Sequence, residues 1–168
     1  MTRLILILLV TIPYIIIGRP DVEAFLSLPY MVQALVYPLL HANLLHLLVN
    51  IYAIYLLFDP RRKDNLRCLT TGLFISFLVY PLSFRPVIGI SNLLYAVIGM
   101  RAPSFSSPYW KSPAVIIFLA VTVGMVFIPS IAASTHIAAF VLGVLFSIVL
   151  RVYKSLDYDY RRIKRRLR

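Results

Sequence analysis

Five polar side chains stand in or beside stretches that are otherwise apolar: His41, His46, Asn50, Ser91 and His136. The chain has no other histidine. Ionisable groups inside apolar runs of membrane length are costly to keep, and such positions point to function. A serine beside an imidazole is equipped for acyl transfer. The histidine takes the hydroxyl proton as the oxygen attacks a carbonyl, then returns it to the leaving amine. On this reading Ser91 is the nucleophile and His136 its base. No carboxylate stands at that depth to orient the ring. Asp21 and Glu23 fall in a connection, and Asp59, Asp64, Asp157 and Asp159 fall on the opposite side. The pair is therefore expected to work as a dyad. His46 and Asn50 are four residues apart and share a helix face. They would donate hydrogen bonds to a developing oxyanion, together with a backbone N–H at the start of the Ser91 helix. Each residue also has a plainer use: a serine can bond its own helix, a histidine can meet headgroups, and an asparagine can join two helices. Three histidines could instead hold zinc, but no nearby carboxylate would serve as the base. The joint occurrence of these residues at one depth favours catalysis.

That common depth comes from the elements that must position them. The chain is 61% hydrophobic over 168 residues, with mean hydropathy +0.88, whereas soluble domains run near 45–50% apolar. A polytopic all-α membrane protein is the class that fits. A first span is expected at 4–18, short for a bilayer of ~30 Å that takes about 20 residues. Residues 19–42 form a long connection, apolar in its second half but broken by Pro29 and Pro38, which is expected to lie in the interface. Further spans are expected at 43–58, 69–84, 88–100, 113–127 and 134–150. The fourth is the odd one. Its 13 positions make about 20 Å of helix, too little to cross. Arg101 and the polar stretch at 103–108 fix its far end at one surface, so Ser91 starts inside the hydrocarbon zone, at the floor of a cavity.

The charges set the orientation. The net charge is +11. With both termini cytoplasmic, the inside segments hold Arg3, then Arg61, Arg62, Lys63 and Arg67, then Arg101 and Lys111, then Arg151 and Lys154, then the six basic residues at 161–168. Only Arg19 and Arg85 of the 17 Lys+Arg remain outside, which satisfies the positive-inside rule with six spans. A basic tail directly after an apolar segment is placed to meet anionic lipid headgroups, and this placement argues against nucleic acid as the partner. The division is thus a membrane domain over 1–155 and a cytoplasmic tail over 156–168. The lone Cys68 makes no intramolecular disulfide framework and is read as a small buried apolar residue. Residues 3–17 look like a leader, but Gly18-Arg19-Pro20-Asp21 offers no small-x-small cleavage site, so this stretch is read as a retained span. The default location is a bacterial inner membrane.

The sequence resembles the rhomboid family of intramembrane serine proteases. The likeness rests on His41-x4-His46-x3-Asn50, Gly89-x-Ser91, Tyr95 and Gly99, then His136 with Gly143, and it covers about residues 1–155. It implies a six-helix bundle with a short fourth helix, and cleavage of other membrane proteins in or near their transmembrane helices without a cofactor. By the same resemblance Ser91 and His136 form the dyad, Tyr95 packs on the histidine ring in place of an acid, and His46 and Asn50 contribute to the oxyanion site. His41 would shape the first loop and the cavity. The Trp-Arg pair often found in the family's first loop is absent, as are the glycine and glutamate that commonly end the second span, and two positions within the matched motifs also depart from the family pattern. Asn92 stands where Gly-x-Ser-Gly ends, and Ala139 replaces the first glycine of His-x-x-Gly-x-x-x-Gly. Both add bulk where small residues let the fourth and sixth helices approach. Asn92 must face cavity water or bond a neighbour, with Thr135 or the connection at 129–135 the nearest candidate. The alternative function is that of an inactive rhomboid-like protein that binds membrane helices without cutting them.

Overall fold

A computed structural model describes residues 1–83, 87–102, 116, 120 and 133–166. The span expected at 113–127 lies almost wholly outside the described residues, as do the polar stretch at 103–108 and most of the connection before residue 133. Among the described residues every regular element is helical. Helix α1 is Thr2–Ile17, α2 Val22–Leu26, α3 Tyr30–Val36, α4 Leu44–Leu57, α5 Asn65–Val79, α6 Ser91–Arg101 and α7 Ala133–Arg166. A 3₁₀ turn, Tyr37–Leu39, follows α3, and another, Tyr80–Leu82, follows α5.

Local chemistry sets several boundaries. The Asp21 carboxylate accepts from the N–H groups of Glu23 and Ala24 and opens α2. Asn43 accepts from the His46 N–H at 2.8 Å and caps α4. Pro29 and Pro38 divide the connection into two short helices and a turn, since neither nitrogen can donate within a helix. The axis from Tyr30–Leu39 to Leu44–Leu57 bends by 77°.

Two described stretches are long and apolar enough to cross a bilayer, Asn65–Leu82 and Ala133–Tyr158. Large apolar side chains also line the outside of the bundle: Leu45 and Leu48 on α4, Phe74 on α5, Leu145 and Val149 on α7. In water such a surface would be a liability. In a bilayer it is the lipid-facing wall, and the chain is an integral membrane protein.

At the centre stands α6. Ten of its eleven residues are buried, as a helix without a polar face must be. Leu93, Leu94, Val97 and Ile98 join Leu6 and Val10 of α1, Leu47, Ile54 and Leu57 of α4, and Cys68 of α5 in the main core. The crossing with α7 is closer than side chains allow. A Cβ on Gly99 would lie 2.1 Å from the Phe140 carbonyl oxygen, and one on Gly143 2.2 Å from that of Ala96. Only glycine lets these two backbones touch. Ala139 sits one turn before Gly143 and is fully buried in a cluster with Tyr95, Ala96, Ile75 and Val79, so its added carbon is taken up in the packing.

Several boundaries differ from the sequence expectations by a few residues, α6 for one beginning at Ser91 and not at 88, and three differences bear on the architecture. Helix α5 begins at Asn65 instead of 69, because Asn65 is drawn inside: its amide donates to the Asp59 carbonyl at 2.6 Å. Helix α7 does not stop near 150 but continues to Arg166, 34 residues in all. That makes about 51 Å of helix, well beyond the ~30 Å apolar layer. Hydropathy ends near residue 150, but no glycine or proline follows Gly143, so nothing in the backbone stops the helix. The third is Arg101, which is not at an open surface. It is only 5% exposed. Its guanidinium donates to the Leu57 carbonyl that ends α4 and to the Asn65 side chain at 3.2 Å, and it lies 3.8 Å from Asp64. This clasp joins the last turn of α6 to the end of α4 and the start of α5. It fixes α4 and α6 side by side, pointing the same way.

Candidate active site

At the other end of α6 the backbone arrives through Gly89, whose φ of 111° is one that side-chain-bearing residues rarely adopt. Space imposes the same choice. A Cβ there would lie 2.7 Å from His46 Cε1, 2.9 Å from its Nε2 and 3.4 Å from Asn50 Nδ2. The first polar pair, one turn apart on α4, therefore faces the peptide two residues before Ser91. Asn50 is buried, and its Nδ2 is a donor without a partner among the described residues, beside the turn that leads to Ser91. The His41 ring, fully buried just before α4, meets the His46 ring edge-on with centroids 5.2 Å apart.

Ser91 opens α6 and His136 lies in the first turn of α7. Ser91 Oγ is 2.8 Å from His136 Nε2, and each residue is only 6% exposed. For Nε2 to accept the serine proton the ring must carry its own proton on Nδ1. That atom is buried and has no hydrogen-bond partner among the described residues. The ring is held by stacking instead: Tyr95, one turn below Ser91 on α6, lies against it with centroids 4.6 Å apart and planes inclined by 26°.

Asn92 has a partner that the sequence did not suggest. Its Nδ2 donates to Tyr37 Oη at 3.4 Å, on the side of α5, and the residue is fully buried. Residue 92 is one position on from Ser91, which turns its side chain about 100° around the helix axis from the one facing His136. Its bulk therefore does not enter the Ser91–His136 contact. The part played by Tyr37 was not legible in the sequence. Its only signal was an aromatic just before Pro38 in a segment assigned to the interface.

A helical integral membrane protein with a serine–histidine pair buried at the head of a short central helix is the class defined by this fold and site. The chain belongs to the rhomboid family: the family model described as the Rhomboid domain matches residues 29–153. No curated protein and no solved structure matches it.

Proposed function

We propose that this rhomboid-family chain is an active intramembrane serine protease rather than an inactive relative. The observation that carries the reading is the 2.8 Å contact of Ser91 Oγ with His136 Nε2 beneath the stacked Tyr95 ring. Ser91 Oγ attacks the carbonyl carbon of a peptide bond in a membrane substrate, and its proton passes to His136 Nε2. The carbonyl oxygen, now negative, is met by donors from Asn50, His46 and the backbone at the start of α6. His136 then gives the proton to the departing amine, leaving an ester on Ser91. A water molecule, deprotonated by the same imidazole, hydrolyses that ester and restores the hydroxyl. Substrates with weak helix near the cut are preferred, because the backbone must leave its own hydrogen bonds before it can be attacked.

The departure at Asn92 would favour an inactive protein if its side chain parted Ser91 from His136. It is directed to Tyr37 instead, which supports the enzyme. The proposed topology has six spans over residues 1–155, both termini cytoplasmic and the dyad below the outer face, in a bacterial inner membrane. The basic tail over 156–168 contacts anionic lipid. A fluorophosphonate probe tests the central claim. The wild-type protein is expected to be labelled and to cut a transmembrane substrate, and Ser91→Ala to do neither. Cleavage that survives Ser91→Ala would remove Ser91 as the nucleophile.

A further inference from the structure

Helix α6 begins without a local cap: Ile90 precedes it, and among the described residues no side-chain cap hydrogen bond meets its first turn. Something else must fix the rotation of its first turn, on which the direction of Ser91 Oγ depends. One residue touches the serine turn from both sides. The Tyr37 carbonyl accepts from the Gly89 N–H at 2.8 Å, and Tyr37 Oη accepts from the Asn92 side chain at 3.4 Å. Gly89 and Asn92 flank Ser91 at minus two and plus one.

Tyr37 is itself held firmly. It is fully buried, and its hydroxyl donates to the Ser76 carbonyl at 3.0 Å and contacts the Ser76 hydroxyl. Its ring stacks on Tyr80 with centroids 4.8 Å apart. Tyr80 in turn donates to Gln33 Oε1 at 2.8 Å, and Gln33 Nε2 donates to the Leu26 and Leu28 carbonyls. A continuous set of contacts therefore runs from the 22–40 connection, across the end of α5, to the residues on either side of Ser91.

We infer that Tyr37 and Asn92 are paired positioning residues for Ser91, with Asn92 serving as a tether to the first connection at the place where the family pattern has glycine. A glycine could not make this tie. The amide is suited to it: among the described residues its donor reaches Tyr37 and its oxygen has no partner, so there the bond to Tyr37 is the polar contact that orients it. The inference gives catalytic meaning to Tyr37 only if Ser91 is the nucleophile, as proposed above. The geometric claim, that the pair sets the Ser91–His136 contact, can be tested separately.

With only three histidines in the chain, protein labelled with ¹⁵N-histidine in detergent micelles gives three imidazoles to assign. The His136 signal reports its bond to the Ser91 hydroxyl, and Ser91→Ala calibrates the unbonded position. Tyr37→Phe removes one oxygen but keeps the stack on Tyr80 and the main-chain bond to Gly89. It is expected to move the His136 signal toward the Ser91→Ala position. It should also slow fluorophosphonate labelling about tenfold, less than the ~10²-fold that a full 1 Å misplacement costs. Asn92→Gly is expected to act in the same direction, and the double variant to be no worse than the more affected single one, because the two groups form one contact. A His136 signal unmoved in both single variants overturns the inference, even if both melt at lower temperature. Independent, multiplying effects overturn it too. If Tyr37→Phe fails to insert, Asn92→Gly alone decides, since it leaves the first connection untouched. If wild-type protein resists the probe while the His136 signal still moves, the protease reading fails and the positioning inference stands.

Discussion

Adding a single carbon at the α6–α7 crossing should damage catalysis from two helical turns away. In Gly143→Ala the new methyl would lie 2.2 Å from the Ala96 carbonyl oxygen and 3.0 Å from the Met100 nitrogen. Carbon and carbonyl oxygen settle at about 3.3–3.6 Å, so the helices must part locally by about 1 Å. The contact at stake is the 2.8 Å approach of Ser91 Oγ to His136 Nε2. If α7 moves as a body, that distance grows to about 3.8 Å and the hydrogen bond is lost. If α7 pivots and only half the motion reaches His136, the distance is still about 3.3 Å, past the usual range. A 1 Å misplacement costs about 10²-fold in rate, so labelling by the fluorophosphonate probe should fall by about 10- to 100-fold. Overpacking should lower stability by about 1–3 kcal/mol, visible as a lower melting temperature in detergent. The two readings separate in one experiment at a temperature where the variant is folded. A folded Gly143→Ala protein that is labelled at the wild-type rate would refute the claim that this crossing sets the dyad.

Other predictions follow from the same geometry. Ser91→Ala and His136→Ala should each abolish cleavage, and the double variant should cost no more than either, because residues acting as a unit are not additive; assays on one membrane substrate check this. Asn50→Ala should reduce turnover by at most about 10²–10³-fold, with His46 and the backbone still donating. Complete loss with a lowered melting temperature would instead assign Asn50 to the fold. Arg101→Leu takes a charged donor from the Leu57 carbonyl and from Asn65, and should cost about 1.5–3 kcal/mol of stability, with Arg101→Lys recovering only part because it lacks the forked geometry. In a Cys68→Ser background, a cysteine at position 63 should react with an impermeant thiol reagent only from the cytoplasmic side; reaction from outside would overturn the six-span orientation.

Physical reasons divide what could be read from the chain and what could not. Apolar composition alone dictates membrane residence and helices, because only a structure that bonds its own backbone survives in hydrocarbon. The same cost makes polar residues conspicuous in such a sequence, which is why His46, Asn50, Ser91 and His136 could be singled out together and why the family resemblance, borne out over residues 29–153, was legible. The span from residue 43 and the breaks at Pro29 and Pro38 were readable, because apolar runs and prolines mark them. The run of α7 to Arg166 was written in the absence of any breaker, but hydropathy, which reports the solvent and not the backbone, gave a shorter answer. Three things only the tertiary structure decided. Arg101 looked like a surface charge until the end of α4 and the start of α5 closed around it. Asn92 looked like bulk aimed at α7 until the first connection brought Tyr37 to its amide. Gly99 and Gly143 are two letters of a motif until their helices cross, and only in the folded chain do a serine and a histidine 45 residues apart in sequence stand 2.8 Å from each other. Each depends on contacts between segments distant in the chain, and local propensity holds no information about those.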